Sequence, residues 1–232
     1  MMSVTFETLK NDEQVRAYIT AGNEALKTLG YTEHAFPHLC YTAETAAFVL
    51  KELGYEEEII EHAKIAALMH DIGNIVNRKY HALTGAEIAR SILERSGMPY
   101  PDIAAICSAI GNHDEETGWP VNTISAALIL ADKSDVRRSR VQETDMDQIL
   151  ADIHDRVNYS VRRSEIAVVR ADPDAPHGKT EATIRLCLEI DNTVTPIMEY
   201  FEIFLTRMLM CRRAAAFLGA GFELVINDMK IL

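Results

Sequence analysis

With 232 residues, 48% of them hydrophobic, the chain can bury one large core or a domain with an appendage, and its formal net charge of −12 opposes broad contact with nucleic acid or an anionic membrane face. Cys40, Cys107, Cys187 and Cys211 form no CxxC pair, so neither a zinc knuckle nor a disulfide framework is indicated, and a reducing cytosol suits them. MMSVTFETLKNDEQ does not read as a signal peptide, and the apolar stretch from Pro196 is interrupted by Glu199, Glu202, Arg207, Arg212 and Arg213, so a cytoplasmic protein with no membrane partner is expected.

From about residue 11 to residue 160 apolar residues recur at helical spacing, with breaks at Gly30, Gly54, Gly73, Gly97 and the Gly118-Trp119-Pro120 turn. Ala43, Ala46, Ala47, Leu50 and Leu53 make one stripe, and Ile59, Ile60, Ala63, Ala66 and Ala67 make the next. These small residues let helices approach closely, as in a bundle. After Tyr159 the pattern changes: EIAVVRA is β-branched, DPDAPHGK is a turn-rich loop, and EATIRLCLEI alternates, which together predict a β-hairpin. A long helix from about Thr195 to Leu218 follows, and FELVINDMKIL predicts a final strand. The expectation is a mainly α protein, with a helical bundle over residues 1–160 and a small α+β unit over 161–232 that packs on the bundle or mediates homodimerisation.

AALMHDIGN, residues 66–74, sets His70 and Asp71 at the end of an apolar helix, where an unpaired charge is costly to bury. His38 stands at the start of the preceding helix, His81 opens the following one, His113 ends the next, and Asp132 sits in the apolar run SAALILADKSD. Any one of these is ordinarily a satisfied core or surface group. Together they are four imidazoles and two carboxylates at helix ends and on a buried face, where side chains of a bundle converge on an ion. Nitrogen-rich donors of this kind suit Mn, Fe, Co, Ni or Zn better than Mg or Ca.

Over roughly residues 34–140 the sequence resembles the HD-domain metal-dependent phosphohydrolases, whose pattern is a histidine, an adjacent His-Asp pair and a distant aspartate on a helical bundle. His38, His70, Asp71 and Asp132 fill those positions. The resemblance implies that they hold a first divalent transition metal, with His70 and Asp71 at the catalytic centre. Binuclear relatives add further histidines, implying a second ion on bridging Asp71, His81 and His113; either Asn112 or Asp114 occupies the place of one histidine of that pattern. Many relatives carry lysine or glutamate where Asn74 stands. The implied activity is hydrolysis of a phosphoester, in a nucleotide or another small phosphorylated substrate, by metal-activated hydroxide. Coordinated water, His34 or Glu115 would protonate the leaving oxygen. Two other classes stay open: a di-iron oxygenase, because some relatives with similar ligands perform oxidative chemistry, and a noncatalytic nucleotide-binding signalling module.

Local cations suit an anionic substrate. Arg78 and Lys79 precede His81, and Lys133, Arg137, Arg138 and Arg140 follow Asp132. Lys133 and Arg137 are the preferred substrate contacts, joined by Arg78, Lys79 and His34; the plain alternative is a solvated face paired with Asp135 and Glu143. Long nucleic acid is disfavoured by net acidity. His62 and His177 are expected to be solvated. A second dyad, His154-Asp155, reads as a helix cap or interdomain network, or places Arg156 or Asn158 near the substrate.

Overall fold

Four helices pack around one that is buried along its length. In the computed structural model, which describes residues 4–178 and 180–232, α7 (Thr123–Ser134) starts from a reciprocal cap between Asn122 and Ser125, and every residue from Ile124 to Ser134 is buried. Packed on it are α3 (Phe36–Glu52), α4 (Glu57–Met69), α6 (Tyr100–Gly111) and, from the end of the chain, α10 (Ile197–Phe217). A helix apolar all round needs such cover on every face. α5 (His81–Arg95) packs on α6, while α1 (Phe6–Lys10) and α2 (Glu13–Thr28) cover α4 and the turn after it. Short α8 (Met146–Ala151) and α9 (Ile153–Ser160) lead out of the bundle, α9 capped by the Asp152 carboxylate.

The remainder is a four-stranded sheet in the order β1-β2-β3-β4 with α10 against it. β1 (Val161–Arg170) and β2 (Ala182–Ile190) form the expected antiparallel hairpin. α10 then crosses over to β3 (Gly221–Ile226), which pairs parallel to β2. The C-terminal segment is more than the single strand expected: Asn227 and Asp228 both adopt left-handed backbone (φ 48 and 64), turning β3 back into the two-residue β4 (Met229–Lys230). Tyr200 and Phe204 of α10 are buried, but Leu205 is exposed, so the apolar surface expected of this helix is narrower than its composition suggests. No described helix is long and apolar enough to cross a membrane.

Candidate metal centre

Four helix ends meet at His70 and Asp71. His70 closes α4, Asp71 precedes a tight turn over Ile72–Ile75, His38 lies in the first turn of α3, and His81 is the first residue of α5. Gly73 makes the meeting possible: a Cβ there would lie 2.1 Å from the His81 carbonyl oxygen and 2.5 Å from the Gly85 nitrogen, so any side chain would drive α5 off the turn. Tyr80, in left-handed backbone at φ 65, swings the chain into α5 with His81 facing inward. His113 follows α6, and Asp132 comes from the last turns of α7.

The six side chains are all buried, and their inner atoms face one another. His38 Nε2 lies 3.8 Å from Asp71 Oδ2 and 3.4 Å from Asp132 Oδ1, and His70 Nε2 lies 2.9 and 3.7 Å from the same two oxygens. On the other side of the Asp71 carboxylate, Oδ1 lies 3.4 Å from His81 Nε2 and 4.0 Å from His113 Nε2. The sets His38-His70-Asp71, His70-His113-Asp132 and Asp71-His81-His113 each bring their ligand atoms within 4.8 Å of one another.

The outward nitrogens fix the orientation of the rings. Nδ1 of His70, His81 and His113 meets the carbonyl oxygens of Ala67, Arg78 and Ile110 at 2.8, 3.0 and 2.6 Å, and Nδ1 of His38 meets Asp135 Oδ2 at 2.8 Å. Carbonyl and carboxylate oxygens only accept, so each Nδ1 donates, and in the neutral ring the lone pair is on the inward Nε2. This is the outer support that metal-binding imidazoles carry. Nε2 of both His38 and His70 is buried without a hydrogen-bond partner; the 2.9 Å approach of His70 to Asp71 is not aligned as one. Buried orphans of this kind are costly unless a cation faces them, so the residues fit a metal.

Electrostatics agree. Burial disfavours charge on Asp71 and Asp132, yet His70 holds the first and Lys133 and His38 hold the second well below the usual carboxylate range. Burial also opposes charging His70, but Asp71 and Asp132 outweigh it and raise that imidazole to about 10, which marks the point where the two carboxylates demand a positive charge. His81 and His113 are pushed down by burial, His113 further by the neighbouring His70, so both are neutral and competent as ligands.

The HD domain family model matches residues 36–159, more than half of the chain. The chain belongs to the HD domain family. The chain is 42% identical over 106 residues to ribonuclease Y of Chloroflexus aurantiacus and 31% identical over 119 residues to that of Opitutus terrae, spans of 44% and 47% of this chain but only 18% and 20% of theirs. An uncharacterized protein of Methanocaldococcus jannaschii is 28% identical over 184 residues, 69% of this chain and 70% of its own length. A crystal structure of a predicted HD superfamily hydrolase from an uncultured Thermotogales bacterium, 25% identical, matches with a TM-score of 0.43 over 56% of this chain and 73% of that one. Membership places the chain in a superfamily of metal-dependent phosphohydrolases, whose domains bind divalent metals.

Around the HD ligands stands a wall of cations drawn from separate segments. The pocket over Asp71, His81, His113 and Asp132 is closed by Thr32, His34, Arg78, Lys133, Arg140 and Arg207. Lys133 Nζ is 2.8 Å from Asp132 Oδ2, and Arg78 Nη1 is 3.7 Å from Asp71 Oδ1. Arg140 is buried with backbone carbonyls of Glu33 and Asp135 as its partners, and among the described residues no carboxylate pairs with it. Arg207, from α10, donates to Glu115 at 2.6 Å; sequence reading confined the site to the bundle and missed it, because the apolar stripe of α10 gives no sign of which polar position faces the pocket.

Two expected substrate contacts lie elsewhere. Arg137 donates to both oxygens of Asp135 at 2.6 and 3.0 Å and stacks 3.7 Å over the Tyr41 ring, so it braces the carboxylate behind His38, away from the pocket. Lys79 lines an outer cleft and sits over the Tyr80 ring. His34 does line the pocket, its Nδ1 donating to the Thr32 carbonyl at 2.6 Å. His154 and Asp155 line an adjoining cavity of about 390 Å³, with Tyr31 and Phe204 on its walls; the cap expected of them is made by Asp152. Asn112 turns back to the Ser108 carbonyl, and Asp114 lines the outer cleft, so neither replaces a histidine beside His113. Asn74 donates to Asp71 Oδ1 at 3.0 Å and holds that carboxylate in place.

Proposed function

We propose that the protein hydrolyses a phosphoester of a small phosphorylated substrate, with His38, His70, Asp71 and Asp132 holding the required divalent transition metal. The observation that carries this reading is the set of imidazoles whose Nδ1 atoms are all tied down and whose Nε2 atoms converge, two of them unpartnered, on two buried carboxylates. When bound, such an ion acidifies water to near neutral pH and offsets charge on a phosphoryl oxygen. Arg78, Lys133, Arg140 and Arg207 would hold the remaining phosphoryl oxygens, where charge-assisted hydrogen bonds are strongest.

The adjoining cavity of about 390 Å³ shares His34, Arg78, Arg140 and Arg207 with the metal pocket, and its size and aromatic walls suit the body of a nucleotide-sized substrate. Neither side chain weighed as the acid is suited to protonating the leaving oxygen. His34 is held neutral by burial with its one N–H given to Thr32, and Glu115 is engaged by Arg207, which leaves solvent as the donor. The wall of cations favours phosphoester chemistry over a di-iron oxygenase.

A second reading, cleavage of a phosphodiester in an RNA strand, is favoured by the likeness to ribonuclease Y. One panel separates the possibilities. Metal-stripped protein is reconstituted with Mn, Fe, Co, Ni, Zn or Mg and offered nucleoside monophosphates, sugar phosphates, cyclic dinucleotides and short RNA, aerobically and anaerobically. The proposal expects metal-dependent release of phosphate or of a monoester from the small substrates without oxygen. Oxygen-dependent turnover alone, or nucleotide binding with no turnover under any metal, would overturn it.

A further inference from the structure

The two sides of the Asp71 carboxylate are satisfied differently. Facing Oδ2, the Nε2 atoms of His38 and His70 have no partner. Facing Oδ1, the Asn74 amide donates at 3.0 Å, and Arg78 Nη1 lies 3.3 Å from His81 Nε2 in hydrogen-bonding geometry and 3.7 Å from Oδ1 itself. Arg78 therefore engages His81 twice, its carbonyl taking the Nδ1 proton and its guanidinium donating to Nε2. His81 Nε2 and His113 Nε2 stand 3.1 Å apart with both Nδ1 protons committed outward, so two lone pairs face each other and need a positive group beside them. Arg78 provides one.

Resting on the metal-dependent reading above, we infer that Arg78 is a built-in competitor of a second metal ion: the protein holds one ion on the His38-His70-Asp132 side of Asp71, and a second binds at His81-His113 only by displacing the guanidinium. A neutral imidazole nitrogen has one lone pair, and while it accepts from Arg78 it cannot ligate. Like charge adds to the competition, since a divalent ion would join a guanidinium that cannot lose its proton. The ligand set points the same way, because Asn112 is turned back to the Ser108 carbonyl and Asp114 joins none of the clusters of ligand atoms among the described residues.

The test is a titration of metal-stripped protein with Mn(II) alone, followed by calorimetry and by electron paramagnetic resonance, on wild type, Arg78→Ala and Arg207→Ala, with Arg78→Gln in reserve should the alanine variant not fold. Expected are one tight equivalent in wild type and in Arg207→Ala. Arg78→Ala should bind two, its second affinity raised about tenfold or more, with the spin coupling of two ions on one carboxylate. Two equally tight ions in wild type, one ion with unchanged affinities in Arg78→Ala, or the same gain in Arg207→Ala would each overturn the inference while leaving the metal-dependent reading intact. No bound ion in any variant would overturn both.

Discussion

The inner ring of the site and its outer wall are built on different terms. The ring takes every ligand from a helix end or a buried helix face of the bundle, and each imidazole is locked from behind, His70, His81 and His113 by a carbonyl three residues back and His38 by the Asp135 carboxylate just beyond α7. The wall takes the neutral His34 from the loop before α3 and its cations from the turn before α5, the last turn of α7, the segment after it and the middle of α10. A ring of this kind presets where its ligand atoms converge. A wall assembled from five segments fixes the charge at the mouth while leaving its spacing to the packing of the whole chain, the C-terminal unit included.

The largest break in this comparison should come from removing the C-terminal unit. Ending the chain after Tyr159 uncovers the face of α7 on which α10 rests, next to Asp132 and Lys133, and strips Arg207 from the wall. The expected outcome is aggregated protein, checked by size-exclusion chromatography; a soluble, fully active residue 1–159 fragment would make the unit an accessory. Next comes Asp135→Asn, which weakens the hold on His38 Nδ1 and should lower metal affinity about 10–100-fold. Arg207→Ala should act on the wall alone, raising KM about tenfold with metal content unchanged. Arg137→Ala should have the smallest effect, less than about tenfold on metal affinity and none on KM, because it acts only through Asp135.

The same contrast explains what was legible in the sequence. His38, His70, Asp71, His81, His113 and Asp132 could be read because a polar group at the end of an apolar helix is an anomaly that local pattern exposes, and the observed ring contains all six. The wall could not be read this way. Proximity to Asp132 along the chain suggested Arg137, but two residues back stands Asp135, whose buried carboxylate captures that guanidinium, while Arg140, three residues further, reaches the pocket. Arg207 comes from 75 positions beyond Asp132 and is set by how α10 lies on α7, a tertiary fact with no local signature. In the fold, the bundle, hairpin and long helix followed from periodicity. The extra β4 is hidden in the sequence because Asn227-Asp228 falls inside an otherwise strand-like run, although both residue types tolerate the left-handed backbone of a tight hairpin turn.

The most direct measurement is metal content and phosphate release on the same samples of wild-type and Asp71→Ala protein, with far-ultraviolet circular dichroism as the check on folding. Wild type should hold at least one equivalent of transition metal and release phosphate from a phosphoester, and Asp71→Ala should do neither while keeping its helical spectrum. Wild-type protein that takes up no metal on titration near neutral pH, or an Asp71→Ala variant that retains the metal and the turnover of wild type, would contradict the account.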